Sequence, residues 1–574
     1  MRRILAVITA AGMLAGLALS QTADSKPKFE LADIHPAANT TGVIRFGGRG
    51  GNTISSARYE LRNASLLDLI SNAYGMDSGK VIGGPTWLEW DHYDLTAKVA
   101  ADAHPDPETL KLMLQDLLAE RFHLAVHKDK KDLQAYTLTA GKTPKLKQSD
   151  GSSGDTGCRG QIGGPGATQM PGGGIRINSD AGPIFQNFTC HNITMDEFAK
   201  LLTNQVSQNG ITNPVENKTG LDGKWDFDYR TSLQIRILLT TQPSDNITIF
   251  DAVEKQLGLR LNSVQLAQDV LIVDKAERPT PNAAGVTEAL ALKIPAEFEV
   301  ADVRPVEPAP GPRRVQITRG GGVNFSAMQL RNLITSAYAI DDNRLIAAPS
   351  MTDALNNLYS IVARPPASTA PAPDSAPQGP MLAPFASPDD SDAAWTMMRS
   401  LLKDRFKLAM HQEDRVLTAW KLVAVKPKMK KADPAERTKT NEGPGPDGKD
   451  PRNTMPARQR LAMFQNVTMD QFAERIPQIA GGYISTPVIN ATGLDGGYDF
   501  TINFSYPFAL RGGPGRGGAD AAGGPAPSGE AAEPTGAISF PDALAEQLGL
   551  KLVEDKRPVS VWVIDHVESK PTDN

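Results

Sequence analysis

The sequence predicts an α+β protein: two homologous domains in tandem, each with short mixed strands and several helices, joined by long Gly- and Pro-rich loops. Three observations predict this. Phe29-Glu30-Leu31-Ala32-Asp33-Ile34 returns as Phe298-Glu299-Val300-Ala301-Asp302-Val303, and Thr219-Gly220-Leu221-Asp222-Gly223 returns letter for letter at residues 492–496. Matching pieces keep one order in both halves, and within each half helical and strand periodicities follow one another. The chain has 574 residues, 40% hydrophobic and 22% charged, enough for two or more cores, and its 51 Gly and 43 Pro gather in particular stretches.

Residues 1–20 read as a signal peptide: Arg2 and Arg3, an uncharged apolar stretch at residues 4–19, and a small-x-small pattern at Ala18-Leu19-Ser20. The stretch is shorter than the roughly 20 residues of a membrane span. The expected organisation is a first copy at 28–277, a linker at 278–295 and a second copy at 296–568. The expected location is periplasmic or secreted, with no stable membrane span after cleavage. Net charge is −5 with both signs interspersed, which excludes the basic stripe a phosphate backbone needs, so nucleic acid is not an expected partner.

Each copy opens with a strand, residues 28–34 and 297–303, stopped by Pro36 and Pro305. The glycine runs Gly47-Gly48-Arg49-Gly50-Gly51 and Gly320-Gly321-Gly322 invite a phosphate reading, but neither has the spacing of a phosphate-binding loop, so turn chemistry is expected. Leu66, Leu69, Ile70, Ala73 and Tyr74 fall on one helical face, as do Leu330, Leu333, Ile334, Ala337 and Tyr338. Trp87 and Trp90 are placed as core or loop plugs rather than ligand stackers. A strand follows at 93–99 and 358–363. A second helix turns Leu110, Met113, Leu114 and Leu117 inward, mirrored by Ala394, Met397, Met398 and Leu401.

That helix runs into Arg121-Phe122-His123-Leu124-Ala125-Val126-His127, mirrored by Arg405-Phe406-Lys407-Leu408-Ala409-Met410-His411. Alternation of Phe122, Leu124 and Val126 predicts a half-buried strand. On a strand, His123 and His127 lie about 13 Å apart, too far to share a metal, and Lys407 replaces His123 in the second copy.

The polar stretches 141–183 and 426–456 are expected as mobile loops. Thr194 with Glu197 and Thr468 with Gln471 predict helix capping boxes. Asp222 with Asp226, and Asp495 with Asp499, could pair as acid and base, but Leu-Asp-Gly is also what a tight turn requires, and the turn is expected. Each copy closes with a short helix ending at Gly258 or Gly549. Two strands are expected after it, 259–264 with 270–274 and 550–554 with 559–565. Residues 365–391 and 511–534 are Pro/Ala/Gly-rich and expected to be disordered.

Cys158 and Cys190 are the two cysteines. With no CxxC spacing or clustered His beside them, one disulfide is expected rather than a metal site. No catalytic residue, metal site or cofactor is assigned.

The combination resembles an exported family expanded in soil acidobacteria that carries a domain of unknown function. It consists of Phe-Glu-Leu-Ala-Asp, Leu-Ile-x-x-Ala-Tyr, Gly-Gly-Pro-x-Trp-Leu, Leu-Leu-x-x-Arg-Phe-x-Leu-x-x-His, and Pro-Val leading to Thr-Gly-Leu-x-Gly-x-Trp-Asp-Phe. The resemblance covers most of residues 28–277 and, more loosely, 296–568. It implies no activity. Some members join this domain to membrane metallopeptidases resembling beta-lactam sensors, but this chain lacks the zinc motif. The closing units also look like the short N-terminal domain of secretins and TonB-dependent receptors, a fold-level analogy. The function expected is a non-enzymatic envelope module that binds a partner protein or extracellular ligand. The alternatives are an extracytoplasmic hydrolase using His127/His411 or the Asp pairs, and a scaffold part of a secretion or uptake assembly.

Overall fold

The computed structural model describes residues 27–37, 53–55, 58–100, 105–151, 156–169, 175–177, 184–206, 213–232, 247–291, 294–307, 315–366, 388–441, 459–507 and 537–572. Two long strand pairs organise it. Ala125–Ala140 runs antiparallel to Leu259–Lys275, and Ala409–Ala424 to Leu550–His566; each pair forms the spine of one copy. The closing hairpins expected from the sequence are therefore absent. Each closing segment is one strand of 17 residues. Residues 265–269 look like a turn in sequence, but they pair with residues 134–130 of the other spine strand, which removes any need for the chain to reverse.

Each copy is itself two related quarters. A quarter holds a strand, a helix, a very short strand, another strand, a second helix and a spine strand. In the first quarter these are Arg58–Ser65, Leu66–Tyr74, Val81–Gly83, His92–Lys98, Pro107–Arg121 and Ala125–Ala140. In the second they are Phe185–Ile193, Met195–Val206, Val215–Asn217, Trp225–Ser232, the helical turns from Ile249 to Gln256, and Leu259–Lys275. The second copy repeats both. All four quarters build a four-stranded antiparallel sheet in one order, with the fourth element beside the first and an extra strand at each edge.

The quarters are interlocked. Val81–Gly83 of the first pairs parallel with the second quarter's spine strand, at residues 271–273. Val215–Asn217 of the second pairs parallel with the first quarter's spine strand, at residues 136–138. The same exchange occurs in the second copy, where Leu345–Ala347 pairs with residues 562–564 and Val488–Asn490 with residues 420–422. Four apolar cores result, one under each small sheet, around Leu69 and Phe122, Phe198 and Tyr229, Leu333 and Phe406, and Phe472 and Phe500.

Two backbone devices recur. The first strand of each quarter bulges at a residue with positive φ: Asn63, Asn192, Ala327 and Asn466, at 50°, 51°, 52° and 47°. The ladder slips there in all four sheets. The second helix of each quarter ends before another left-handed residue: His123, Gly258, Lys407 and Gly549. His123 thus stands where two other quarters use glycine. Phe122 and Leu124 are buried, but the strand starts only at Ala125.

Several sequence expectations need correction. Pro36 is the last residue of its strand, Leu31–Pro36, but Pro305 lies inside Val300–Val306; both are edge strands that tolerate a missing donor. The stretch 141–183, expected as a mobile loop, contains the strand Gly157–Gly163, which pairs with Phe185–Ile193 and sets Cys158 opposite Cys190. Those two cysteines form the expected disulfide, with Cα atoms 4.0 Å apart. Phe464, facing Thr440, holds the corresponding place in the second copy.

The expected linker also does structural work. Residues 278–290 run over the first copy and end in the helix Val286–Leu290. The Thr280 N–H donates to the Arg121 carbonyl, and Thr572 repeats that bond to Arg405. The expected disordered stretches 365–391 and 511–534 lie largely outside the described residues, but 388–391 begin the helix Pro388–Phe406.

The copies touch through the second copy's arm at residues 432–438. The Arg437 guanidinium donates to the Val81 and Gly83 carbonyls at 2.8 and 2.6 Å and pairs with Glu89 at 2.9 Å. Those carbonyls lie on the edge strand of the first spine sheet, which the guanidinium closes. Beside it Thr438 donates to the Thr86 carbonyl, and Arg475 lies 4.7 Å over the Trp90 ring. Trp90 packs against the last core of the second copy, so the expected loop plug is an inter-copy contact. Trp87 stays with the first core, beneath Arg278 at 5.2 Å.

Candidate functional site

Most polar residues singled out in the sequence are occupied by backbone work. Asp226 accepts the N–H of Asn192 at 2.7 Å, and Asp499 that of Asn466 at 2.9 Å. Asp94 does the same for Asn63 at 2.7 Å, and Ser360 Oγ for Ala327 at 3.4 Å. The side chain one strand over thus catches the amide that the bulge removes from the ladder. This use of Asp226 and Asp499 replaces the acid/base reading.

Asp222 and Asp495 are exposed in turns held by other groups. Asn217 Oδ1 accepts from the Thr219 N–H and hydroxyl, and Thr219 Oγ1 accepts from the Leu221 N–H. Asn490, Thr492 and Leu494 repeat these bonds. Gly220 and Gly493 sit at φ 66° and 67°, which glycine adopts without a Cβ penalty.

The capping boxes expected at Thr194/Glu197 and Thr468/Gln471 are present, and Ser65/Asp68 and Thr248/Asp251 add two more. The bond from the Thr194 N–H holds the Glu197 carboxyl below its ordinary range. In the second glycine run, the Gly320 N–H that a phosphate would use donates to Asp390 at 2.6 Å. The first run lies outside the described residues.

Arg121 is buried. Its guanidinium donates to Thr280 Oγ1, the Thr280 carbonyl, Asn282 Oδ1 and the Ala32 carbonyl at 2.6–3.2 Å, and burial lowers its pKa. It anchors the segment after the spine. Asp222 follows a strand paired at Leu138, eleven residues along the spine from His127, or about 35 Å at the usual rise.

One polar arrangement remains that recurs in both copies and serves no backbone group. His127 Nδ1 lies 2.8 Å from Asp274 Oδ2, and His411 Nδ1 lies 2.9 Å from Asp565 Oδ1. All four side chains are about half exposed at the same end of each spine. Glu413 lies 3.6 Å from His411 Nε2 and also pairs with Arg415; Asp129 pairs with Lys131 at the matching place. The bond to Asp565 raises the pKa of His411. An acid-paired imidazole accepts and returns a proton. Among the described residues no hydroxyl or thiol hydrogen-bonds either ring, and no group of three or more His, Cys, Asp or Glu is placed to hold a metal. Sequence reasoning singled out His127 and His411 but missed Asp274 and Asp565. The available signal was the acid that closes the last strand of both copies.

These features define a class: a tandem α+β protein of interlocked quarters whose recurring polar residues hold bulges, caps and turns, with a half-exposed His–Asp pair at the same place in both copies. The chain belongs to the family described as protein of unknown function (DUF3738), whose model matches residues 67–276 and again 331–567. No curated protein and no solved structure matches the chain. No helix among the described residues is long and apolar enough to cross a membrane.

Proposed function

We propose that the chain is an exported, non-enzymatic binding module of the bacterial cell envelope, released to the periplasm or the outside by cleavage near residue 20. The observation that carries the reading is the use made of the shared residues. Asp226, Asp499, Arg121 and the Thr-Gly-Leu-Asp-Gly turns repeat because each satisfies a backbone group. What is duplicated is a shape, and duplicated shapes present repeated surfaces to a partner protein or extracellular ligand. The scaffold reading loses its support, because the closing units contain one long strand and no hairpin.

A second reading has one observation in its favour: the His–Asp pair recurs in both copies. As a hydrolase the chain would use these imidazoles as general bases toward water. One experiment separates the two readings. The mature chain and its H127A/H411A variant are assayed for hydrolysis of ester, phosphoester, glycoside and peptide substrates, and both are immobilised to capture partners from envelope extract. Saturable capture by both forms, without turnover, supports the binding module. Turnover lost in the double variant establishes the hydrolase. A leader left uncleaved, with the protein in the cytoplasmic fraction, would overturn the export part.

A further inference from the structure

The outer faces of the first and third small sheets are equivalent but differ in cover. In the first copy, residues 282–290 lie across the face. Asn282 Oδ1 accepts the Ile34 N–H at 3.1 Å, and its amide donates to Asp33 and to the Ile34 carbonyl. Thr287 Oγ1 donates to Asp33 at 3.0 Å, and Arg58 donates to the Leu290 carbonyl. Leu290 is 6% exposed, and the carboxylates beneath, Asp33 and Glu60, are 5% and 3% exposed.

In the second copy the positions of Leu31 and Thr96 are held by Val300 and Val362. The register pairs Val300 with Arg364 and Asp302 with Val362, so the two valines are diagonal neighbours on the outer face. They are 56% and 48% exposed, while Leu31 and Thr96 are half-buried. Among the described residues none plays the part of Leu290 here. Two large apolar residues side by side in water, on a face that the other copy covers, mark a contact surface.

We infer that the outer face of the third quarter's sheet, centred on Val300 and Val362, docks a short leucine-bearing helical segment of a partner protein, seated as Val286–Leu290 is seated on the first copy. The chemistry of the occupant follows from the template. A leucine covers the valines, as Leu290 covers the first face. At the rim Arg304 is paired with Asp302 at 2.9 Å, so the apolar contact selects the occupant.

This rests on the binding-module reading, and the test separates the two. The probe is a labelled peptide with the sequence of residues 281–293, titrated into the full mature chain, with V362K as the test variant and V416K, exposed on the second spine, as the control. The expected result is saturable binding, weakened at least tenfold by V362K and unchanged by V416K. Binding that does not saturate, or that V362K leaves intact, overturns the inference. Envelope capture is run on the same variants. A captured partner that V362K retains as well as the parent also overturns this docking face, yet leaves the binding module standing. A captured partner lost only in V362K supports both.

Discussion

Asp226 holds the backbone N–H of Asn192 at 2.7 Å across two neighbouring strands, and Asn192 sits at a φ of 51°. The bond and the strain belong together. The bulge turns an amide away from the ladder, and the carboxylate gives it a partner. Asp226→Ala should destabilise the first copy by about 1.5–3 kcal/mol, the range for a hydrogen bond to a charged group, and Asp499→Ala should do the same in the second. Ala327 occupies the matching bulge with no side chain suited to positive φ and a weaker partner in Ser360. Ala327→Gly should therefore stabilise by about 1 kcal/mol. Urea denaturation of each variant measures all three.

His411 has its pKa raised by the hydrogen bond to Asp565. A folded-state pKa above the unfolded value means the contribution is present below the unfolded value, about 6.5, and is lost as pH rises through the folded one. Both groups are exposed, so the effect on stability is small and the ring itself is the better reporter. NMR titration of the His411 ring should give a midpoint above 6.5, returning toward that value in Asp565→Asn. A midpoint unmoved by that substitution would remove the pairing.

How much of this was legible follows from where each signal lies along the chain. The tandem copies were, because segments such as Thr-Gly-Leu-Asp-Gly repeat whole. The capping boxes were, because Thr194 and Glu197 interact within one turn. The duplication inside each copy was hidden: the quarters share few letters, and those they share answer to backbone geometry, such as the left-handed position filled by His123, Gly258, Lys407 and Gly549. The spines were hidden because residues 265–269 have turn-like composition and their partners lie more than a hundred residues away. Asp222 and His127 are both candidate groups by type; only the pairing of residues 215–217 with 136–138 shows that the spine separates them.

The disulfide ties the second quarter alone. Cys158 and Cys190 are 32 residues apart and face each other across adjacent strands, and Cys190 is fully buried. On the chain-entropy model, reduction or the C158S/C190S double variant should cost about 3–4 kcal/mol. The second copy fills the matching position with Phe464 and should be unaffected. Near-UV circular dichroism during urea unfolding, with and without reductant, should move the transition of the first copy and leave that of the second in place. Equal movement of both would mean that the copies unfold as one cooperative unit.

Arg437 determines whether they do. Its guanidinium is mostly buried, closes the edge of the first spine sheet through the Val81 and Gly83 carbonyls, and neutralises Glu89. The second copy has no need of such a visitor. There Arg331, at the position of Leu67, donates to the Leu345 carbonyl at 3.0 Å, the counterpart of the Val81 carbonyl, so that edge is closed from within. At this edge the second copy supplies what the first receives, while Trp90 and Arg62 of the first copy reach the second. Arg437→Ala leaves two carbonyls and a carboxylate facing the gap and should cost about 1.5–3 kcal/mol in coupling between the copies. Small-angle scattering should show a larger radius of gyration, and the urea transitions of the two copies should move further apart. Glu89→Gln, which keeps both carbonyl bonds, should do neither. An unchanged scattering profile for Arg437→Ala would mean that Trp90 against Arg475 and the Arg62–Asp392 ion pair suffice to hold the copies together.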